Sequence, residues 1–494
     1  MGVAVGCSFV GSTAPQSGSS DLPSPTSIGT AKPGTTVADY YHQHLSWTSC
    51  DGGFQCATLT VPVDYHKPAG ATLGLVVIKA PASGTSRGSL VVNPGGPGGS
   101  GVEFVAQAAP AFSQLTEHFD LVSFDPRGVG RSAPIRCVTS AQLTHGLNLN
   151  PAPTTPAGIG ALVRSDRAFA RGCANRNGHY LAHVATIDEA RDLDVLRAAL
   201  GEAKLTYYGA SYGTYLGAKY AQLFPTRIRA MVLDGAVNPA ESTTRSNLVQ
   251  AEGFETDLHD MLAACVSAGS CPLGSTEAEA YQTVRDLEAS IAAQPLAVGD
   301  RMLGPGLFFE GLASGLYSTA AWKTLWSALA AAKDGDGASM LALADDLTER
   351  NSDGEYSNLI EANTAIGCID RPSPRSIARY AATARAFARQ APDFGAAIEY
   401  GSMSCAFWPV PAVERPHPVH ASGAPPIVVI GTTRDPATPY VWAQALAHQL
   451  RSGVLLTYDG DGHTAYLDGN ACVEAAVKAY VEDLTPPPVG TTCR

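Results

Sequence analysis

The sequence predicts an α/β protein: a largely parallel β-sheet buried on both faces, interrupted by an α-helical insertion. Three observations carry that expectation. Short apolar runs alternate with helix-like segments from residue 57 to about 238. From 239 to about 400 the chain is Ala-rich, helix-dominated and without apolar strand runs, and strand character then returns. Finally, 494 residues, 45% of them hydrophobic, suffice for a large core and an inserted module.

Residues 1–40 read as a signal remnant and flexible tether. Cys7 closes the small apolar stretch MGVAVGC, and a segment rich in Ser, Thr, Gly and Pro runs to about residue 36, too polar to pack. The stretch is similar to the tail of a bacterial lipoprotein signal, with Cys7 as the lipidated residue and a lipid anchor to the cell envelope as the consequence. No basic region precedes it, and the apolar part is short for a signal peptide.

Residues 41–238 form the first part of the sheet-bearing core. Strands are expected at 73–79, 90–93, 121–124, 205–208 and 230–233, each short, rich in Val, Leu and Ile and mostly apolar. A helix precedes the fourth. Thr186 and Glu189 have the spacing of a capping box, Ile187, Ala190, Leu193, Leu196 and Leu200 line one face, and Gly201 stops it. Residues 239–400 are the helical cap. Residues 401–494 complete the core with strands at 427–430 and 454–458 and a helix near 473–481.

Bulk properties exclude several function classes. A formal net charge of −12 argues against nucleic-acid partners and against an anionic membrane face. No run of eighteen apolar residues occurs, so no transmembrane segment is expected. The eleven cysteines include no paired C-x-x-C and no cluster with zinc spacing. Ten read as disulfides of an oxidising compartment, paired locally as Cys50–Cys56, Cys137–Cys173, Cys265–Cys271, Cys368–Cys405 and Cys472–Cys493, leaving Cys7 over.

The strongest chemical signal is LTYYGASYGTYLGAKYA, which holds Gly209-x-Ser211-x-Gly213 between a strand and a helix. That context is a nucleophile elbow: a tight strand-to-helix turn that presents the serine at a helix N-terminus, where free amides favour a developing anion. A serine needs a base, and the base needs an orienting carboxylate. Asp435 follows the apolar run of PPIVVIGTTRDPATPY, and His463 follows that of GVLLTYDGDGHTAY. Both lie beyond the C-terminal ends of strands, where open α/β sheets place their sites. Asp459, Asp461 and Asp468 are rival carboxylates but crowd the histidine in sequence.

Acyl transfer also needs amides aimed at the oxyanion. One comes from Tyr212, after the nucleophile, and the other from a loop after an early strand. NPGGPGGSG, residues 93–101, is such a loop. Its Gly96, Gly98 and Gly101 also satisfy G-x-G-x-x-G, with Asp125 as a ribose-binding acid. Pro97 inside the fingerprint, the signs of export and the idle triad residues count against a dinucleotide. A P-loop fails because no Lys-Ser/Thr pair follows the glycines. In SFDPRGVGRS, Asp125 and Arg127 are expected to brace a loop as an ion pair.

These motifs resemble those of the proline iminopeptidase and tripeptidyl aminopeptidase group of α/β-hydrolases, in particular the exported actinobacterial type with a TAP-like C-terminal part, here residues 401–494. NPGGPGGSG, FDPRGVGRS, GASYGTYLG, GTTRDPATP and GDGH carry the resemblance, in family order, over roughly residues 45 to 494. Pro94 stands where the family's loop has histidine. The resemblance implies an α/β-hydrolase sheet with an inserted helical cap. It implies Ser211, Asp435 and His463 as the triad, and Gly96 and Tyr212 as oxyanion donors. A cap carboxylate, Asp370 or Glu361 of EANTAIGCIDRP, would hold the ammonium of a peptide with a free N-terminus. No metal or cofactor is needed. Three functions follow: an exported serine exopeptidase releasing tripeptides or other short N-terminal peptides; a carboxylesterase or lipid-ester hydrolase with the same triad; and a silent envelope protein that binds ligands in the old cleft.

Overall fold

The computed structural model of the protein describes residues 22–29 and 34–494, so Cys7 lies outside the described residues. One sheet dominates. Its strands are β1 (Thr48–Ser49), β2 (Gln55–Pro62), β3 (Thr72–Ala80), β4 (Ser89–Asn93), β5 (Asp120–Phe124), β6 (Leu205–Ala210) and β7 (Ile228–Asp234). A two-stranded hairpin, β8 (Leu296–Val298) and β9 (Arg301–Leu303), stands apart in the helical region. The sheet resumes with β10 (Ile427–Arg434), β11 (Gly453–Asp461) and β12 (Thr492–Cys493). The order is β1-β2-β3-β5-β4-β6-β7-β10-β11-β12. Pairing is antiparallel from β1 to β5 through β3, and parallel from β5 onward.

The central strands β4 and β6 are buried at every position, in keeping with their mostly apolar sequences. Their register sets Asn93 opposite Gly209. The loop after β4 and the turn after β6 therefore emerge side by side at the C-terminal edge. Helices cover both faces: Gly101–Ala108 after β4, Thr186–Ala199 before β6, Tyr212–Leu223 after it. Between β7 and β10 the chain forms mostly helices, among them the 25-residue Thr243–Ser267, and Leu359–Asp370.

Four local expectations change. β2 is a full strand not expected from the sequence; it is antiparallel and half of an edge ribbon, so its pattern is not continuously apolar. The hairpin β8–β9 breaks an otherwise helical stretch. Residues 22–29, read as tether, are pinned: the Thr26 amide donates to Arg131 O at 2.8 Å and its hydroxyl to Gly74 O at 2.6 Å. Thr186 is not a capping residue; Ala185 holds the cap position, and the Thr186 hydroxyl is spent on Asp370 and the Tyr212 phenol.

All five expected cysteine pairs are present as disulfides. Two of them close loops between residues only six apart, Cys50–Cys56 and Cys265–Cys271. No helix among the described residues is long and apolar enough to cross a membrane.

Candidate active site

Ser211 stands at φ 54°, ψ −122°, between β6 and the helix Tyr212–Leu223. A non-glycine residue tolerates that conformation only when its surroundings enforce it. Here they do. The Ser211 amide donates to Asp234 O at 2.8 Å, and the Ser211 carbonyl accepts from the Thr214 amide and hydroxyl. The flanking glycines are sterically required. A Cβ on Gly209 would lie 2.4 Å from Gly213 O, and one on Gly213 2.8 Å from Asn93 O. The Ser211 hydroxyl oxygen is buried and takes no hydrogen bond within the described protein.

The loop after β4 packs directly on this turn. Gly95, at φ 102°, leaves no room for a side chain: its Cβ would lie 2.9 Å from Ser211 Cβ and 3.1 Å from the Tyr212 nitrogen. Gly96 is equally confined, against the Gly98 and Gly99 nitrogens. Tyr212 begins its helix, so its amide has no partner within that helix. Gly96 and Tyr212 line one cavity with Ser211.

His463 sits in the loop beyond β11. Its Nδ1 lies 2.9 Å and 3.1 Å from the two carboxylate oxygens of Asp435. Both side chains are buried. Asp435 also accepts from the Ala437 amide (3.0 Å), the Thr438 amide (2.8 Å) and the Thr438 hydroxyl (2.9 Å), a turn that fixes the carboxylate against the imidazole edge. The imidazole packs edge-on to Tyr317, and its own amide donates to Tyr317 O at 2.8 Å. Gly235, at φ 68°, makes space for it: a Cβ there would approach His463 Cε1 to 3.2 Å. Two of the rival carboxylates, Asp459 and Asp461, pair with Arg434, and burial raises the carboxyl of the third, Asp468, to about 7.

Asp234, the last residue of β7, was not singled out from sequence. Its carboxylate accepts from the Tyr208 hydroxyl (2.9 Å) and from the Ala465 (3.0 Å) and Tyr466 (2.9 Å) amides, holding the loop that carries His463. Its carbonyl holds Ser211. A carboxylate ending an apolar strand was the available signal, the same one that marks Asp435.

The cavity over Ser211 is about 200 Å³. Its walls come from the loop after β4, the elbow, the turn at Ala437–Thr438 and, from the helical region, residues of Thr243–Ser267 and Leu359–Asp370 with Arg371. Asp370 lines it; burial raises its carboxyl to about 6, against the pull of the Thr186 donors and of Arg371. Behind it the Thr186 hydroxyl meets the Tyr212 phenol, which donates to Glu189 at 2.9 Å. Burial pushes the Glu189 carboxyl up to about 8 at the base of the elbow.

Glu361 is not in this cavity. Its carboxylate accepts from the Cys137 and Val138 amides and pairs with Arg136, a structural anchor between the helix and the 137–138 segment. The ion pair expected between Asp125 and Arg127 does not form either. Arg127 is buried in a two-point pair with Asp192, both contacts 2.7 Å. Asp125 accepts from the Ser100 hydroxyl and the Val102 and Arg131 amides, so each charge braces a different loop.

Comparison with known proteins gives a consistent picture. The family described as TAP-like protein matches residues 391–493. Serine protease Hip1 of Mycobacterium tuberculosis is 39% identical over 480 residues, 91% of this chain and 91% of that protein. Carboxylesterase B of the same organism is 41% identical over 494 residues, 95% of this chain and 94% of that one. The tripeptidyl aminopeptidase of Streptomyces lividans is 34% identical over 456 residues, 88% of this chain and 84% of that one.

Proposed function

The chain belongs to the TAP-like family of serine α/β-hydrolases, and from that premise we propose that it is an exported exopeptidase releasing tripeptides or other short peptides from free N-termini. Ser211 is the nucleophile, His463 the base and Asp435 its orienting acid. The observation that carries the peptidase reading is one cavity shared by Ser211 and a carboxylate, Asp370.

Ser211 Oγ attacks the scissile carbonyl and passes its proton to His463 Nε2, while Nδ1–H donates to Asp435. The tetrahedral oxyanion takes the Gly96 and Tyr212 amides. Its collapse expels the amine, which receives the proton from Nε2, and leaves an acyl-enzyme. Water, deprotonated by the same imidazole, releases the short peptide. Asp370 holds the substrate ammonium. Five disulfides support an oxidising compartment. Lipidation at Cys7 is proposed from its sequence setting alone.

A carboxylesterase is the second reading. It is favoured by a cavity of only about 200 Å³, with Asp370 already satisfied by Thr186. Matched tripeptide anilides with free or acetylated N-termini, beside short acyl esters, decide between them. Acetylation removes a charge-assisted pair worth roughly 2–5 kcal/mol, so it is expected to lower kcat/KM about thirty-fold to a few thousand-fold. Asp370→Asn penalises the free-amine substrate far more than the acetylated one. Equal rates on both peptides would leave the esterase in front.

A further inference from the structure

We infer that Asn247 and Gln250, on the helix Thr243–Ser267, select substrates by the N–H groups they present, which makes the site prefer peptides to esters. The inference rests on the serine-hydrolase reading above and sharpens its substrate class.

Both side chains line the cavity with Ser211. The orientation of each amide is dictated by its partners. Asn247 Nδ2 lies 3.0 Å from Glu399 Oε2 and 3.0 Å from Ser402 Oγ, whose own proton goes to Glu399 O. Gln250 Nε2 donates to Ala437 O at 2.8 Å, and a carbonyl can only accept. Both Asn247 N–H groups and one of the two on Gln250 Nε2 are committed to protein, which leaves two carbonyl oxygens, Asn247 Oδ1 and Gln250 Oε1, beside a single Gln250 N–H. Asp370 adds a carboxylate to the same lining. Arg371 also lines the cavity, where it lies over the Tyr215 ring at 4.6 Å and donates one of its five N–H groups to the Ser246 hydroxyl.

The acceptors are held rigidly. Gly253, one turn beyond Gln250, is pressed against the turn that holds Asp435; a Cβ there would lie 2.6 Å from Pro436 O. Glu399, behind Asn247, is fully buried. A peptide brings an ammonium and backbone N–H groups to such a wall. A simple ester brings none, and gains nothing from acceptors it cannot satisfy.

The test uses a free-amine tripeptide anilide, the same peptide N-methylated at its internal amides, and a short acyl ester. The proteins are the full-length enzyme and its Asn247→Leu and Gln250→Met variants, checked for folding by circular dichroism and fluorophosphonate labelling. For the unmodified enzyme, each N–H removed from the substrate is expected to lower kcat/KM about three- to ten-fold. In the variants that discrimination should shrink to within about two-fold, and the peptide-to-ester ratio of kcat/KM should fall. Unchanged discrimination in folded variants overturns the assignment while peptide cleavage stands. Should either variant misfold, the unmodified enzyme alone suffices: indifference to N-methylation overturns it. Hydrolysis of the ester only overturns this inference together with the peptidase reading.

Discussion

The steric demands around Ser211 make its neighbours as consequential as the hydroxyl itself. Gly95→Ala would set a methyl 2.9 Å from Ser211 Cβ, at a φ of 102° that alanine resists. The loop must retreat, taking the Gly96 amide with it. Loss of an oxyanion donor costs roughly a hundred- to a thousand-fold in kcat. That loss, with fluorophosphonate labelling of Ser211 retained, is the expected outcome; near-normal turnover would remove the loop from the site. The Asp435–His463 pair has its own signature. Because the imidazole must be neutral to take the serine proton, kcat/KM should rise through an apparent pKa of about 6 to 7. Asp435→Asn should cripple turnover in a folded protein. If Asp461→Asn did so instead, the acid would be misassigned. These residues were legible in sequence because backbone geometry dictates them locally: two glycines about a serine, and polar residues just past apolar strands. Asn247, Gln250 and Glu189 were not, since their roles come from partners far along the chain. Thr186 shows the same limit from the other side. It has a capping-box spacing, but Asp370, 184 residues on, claims its hydroxyl.

Among the elements, the mostly apolar runs translated directly into strands, parallel to their neighbours except β3, which is antiparallel on both sides, and buried except β11, which is largely half-exposed. β2 escaped notice because an antiparallel edge ribbon leaves one side partly exposed. The disulfides were legible by proximity where loops are short. Cys137–Cys173 and Cys368–Cys405 span 36 and 37 residues, and only tertiary packing brings those halves together. Denaturing the protein without reductant and adding iodoacetamide should alkylate no more than one thiol, that of Cys7, given eleven cysteines and five bonds. Two or more modified cysteines would refute the oxidised framework. With the bonds reduced, the protein should unfold at lower denaturant, since each closed loop restricts the unfolded chain.

At the scale of the molecule, the helical region between β7 and β10 was legible as a composition shift, yet its contribution to the cavity was not. A second global property comes from burial. Glu189, Glu310 and Asp370 are held up at about 8, 7 and 6 chiefly by desolvation. Raised carboxyl pKa values mean that the folded state binds more protons than the unfolded chain between the ordinary carboxyl range and about pH 8. Their contribution is complete below an ordinary carboxyl pKa, and is lost as pH rises through the folded values. The thermal midpoint should therefore be higher near about pH 5 than near about pH 8.5, by a few degrees. Glu189→Gln, neutral at every pH, should flatten part of that slope. A midpoint that climbs with pH over this window would contradict the assignment.

Asp234 touches both members of the proposed catalytic pair, its carbonyl on the Ser211 amide and its carboxylate on the loop of His463. In metrological terms it is a common datum. Two parts gauged from separate references accumulate both positional errors; two parts gauged from one share them, and the shared error cancels in their difference. Thermal drift of β7 thus carries serine and histidine the same way, leaving the gap between them nearly unchanged. Removing the carboxylate would break that tolerance chain on one side only. Each group would remain in place on average while the spread of distances between them widened.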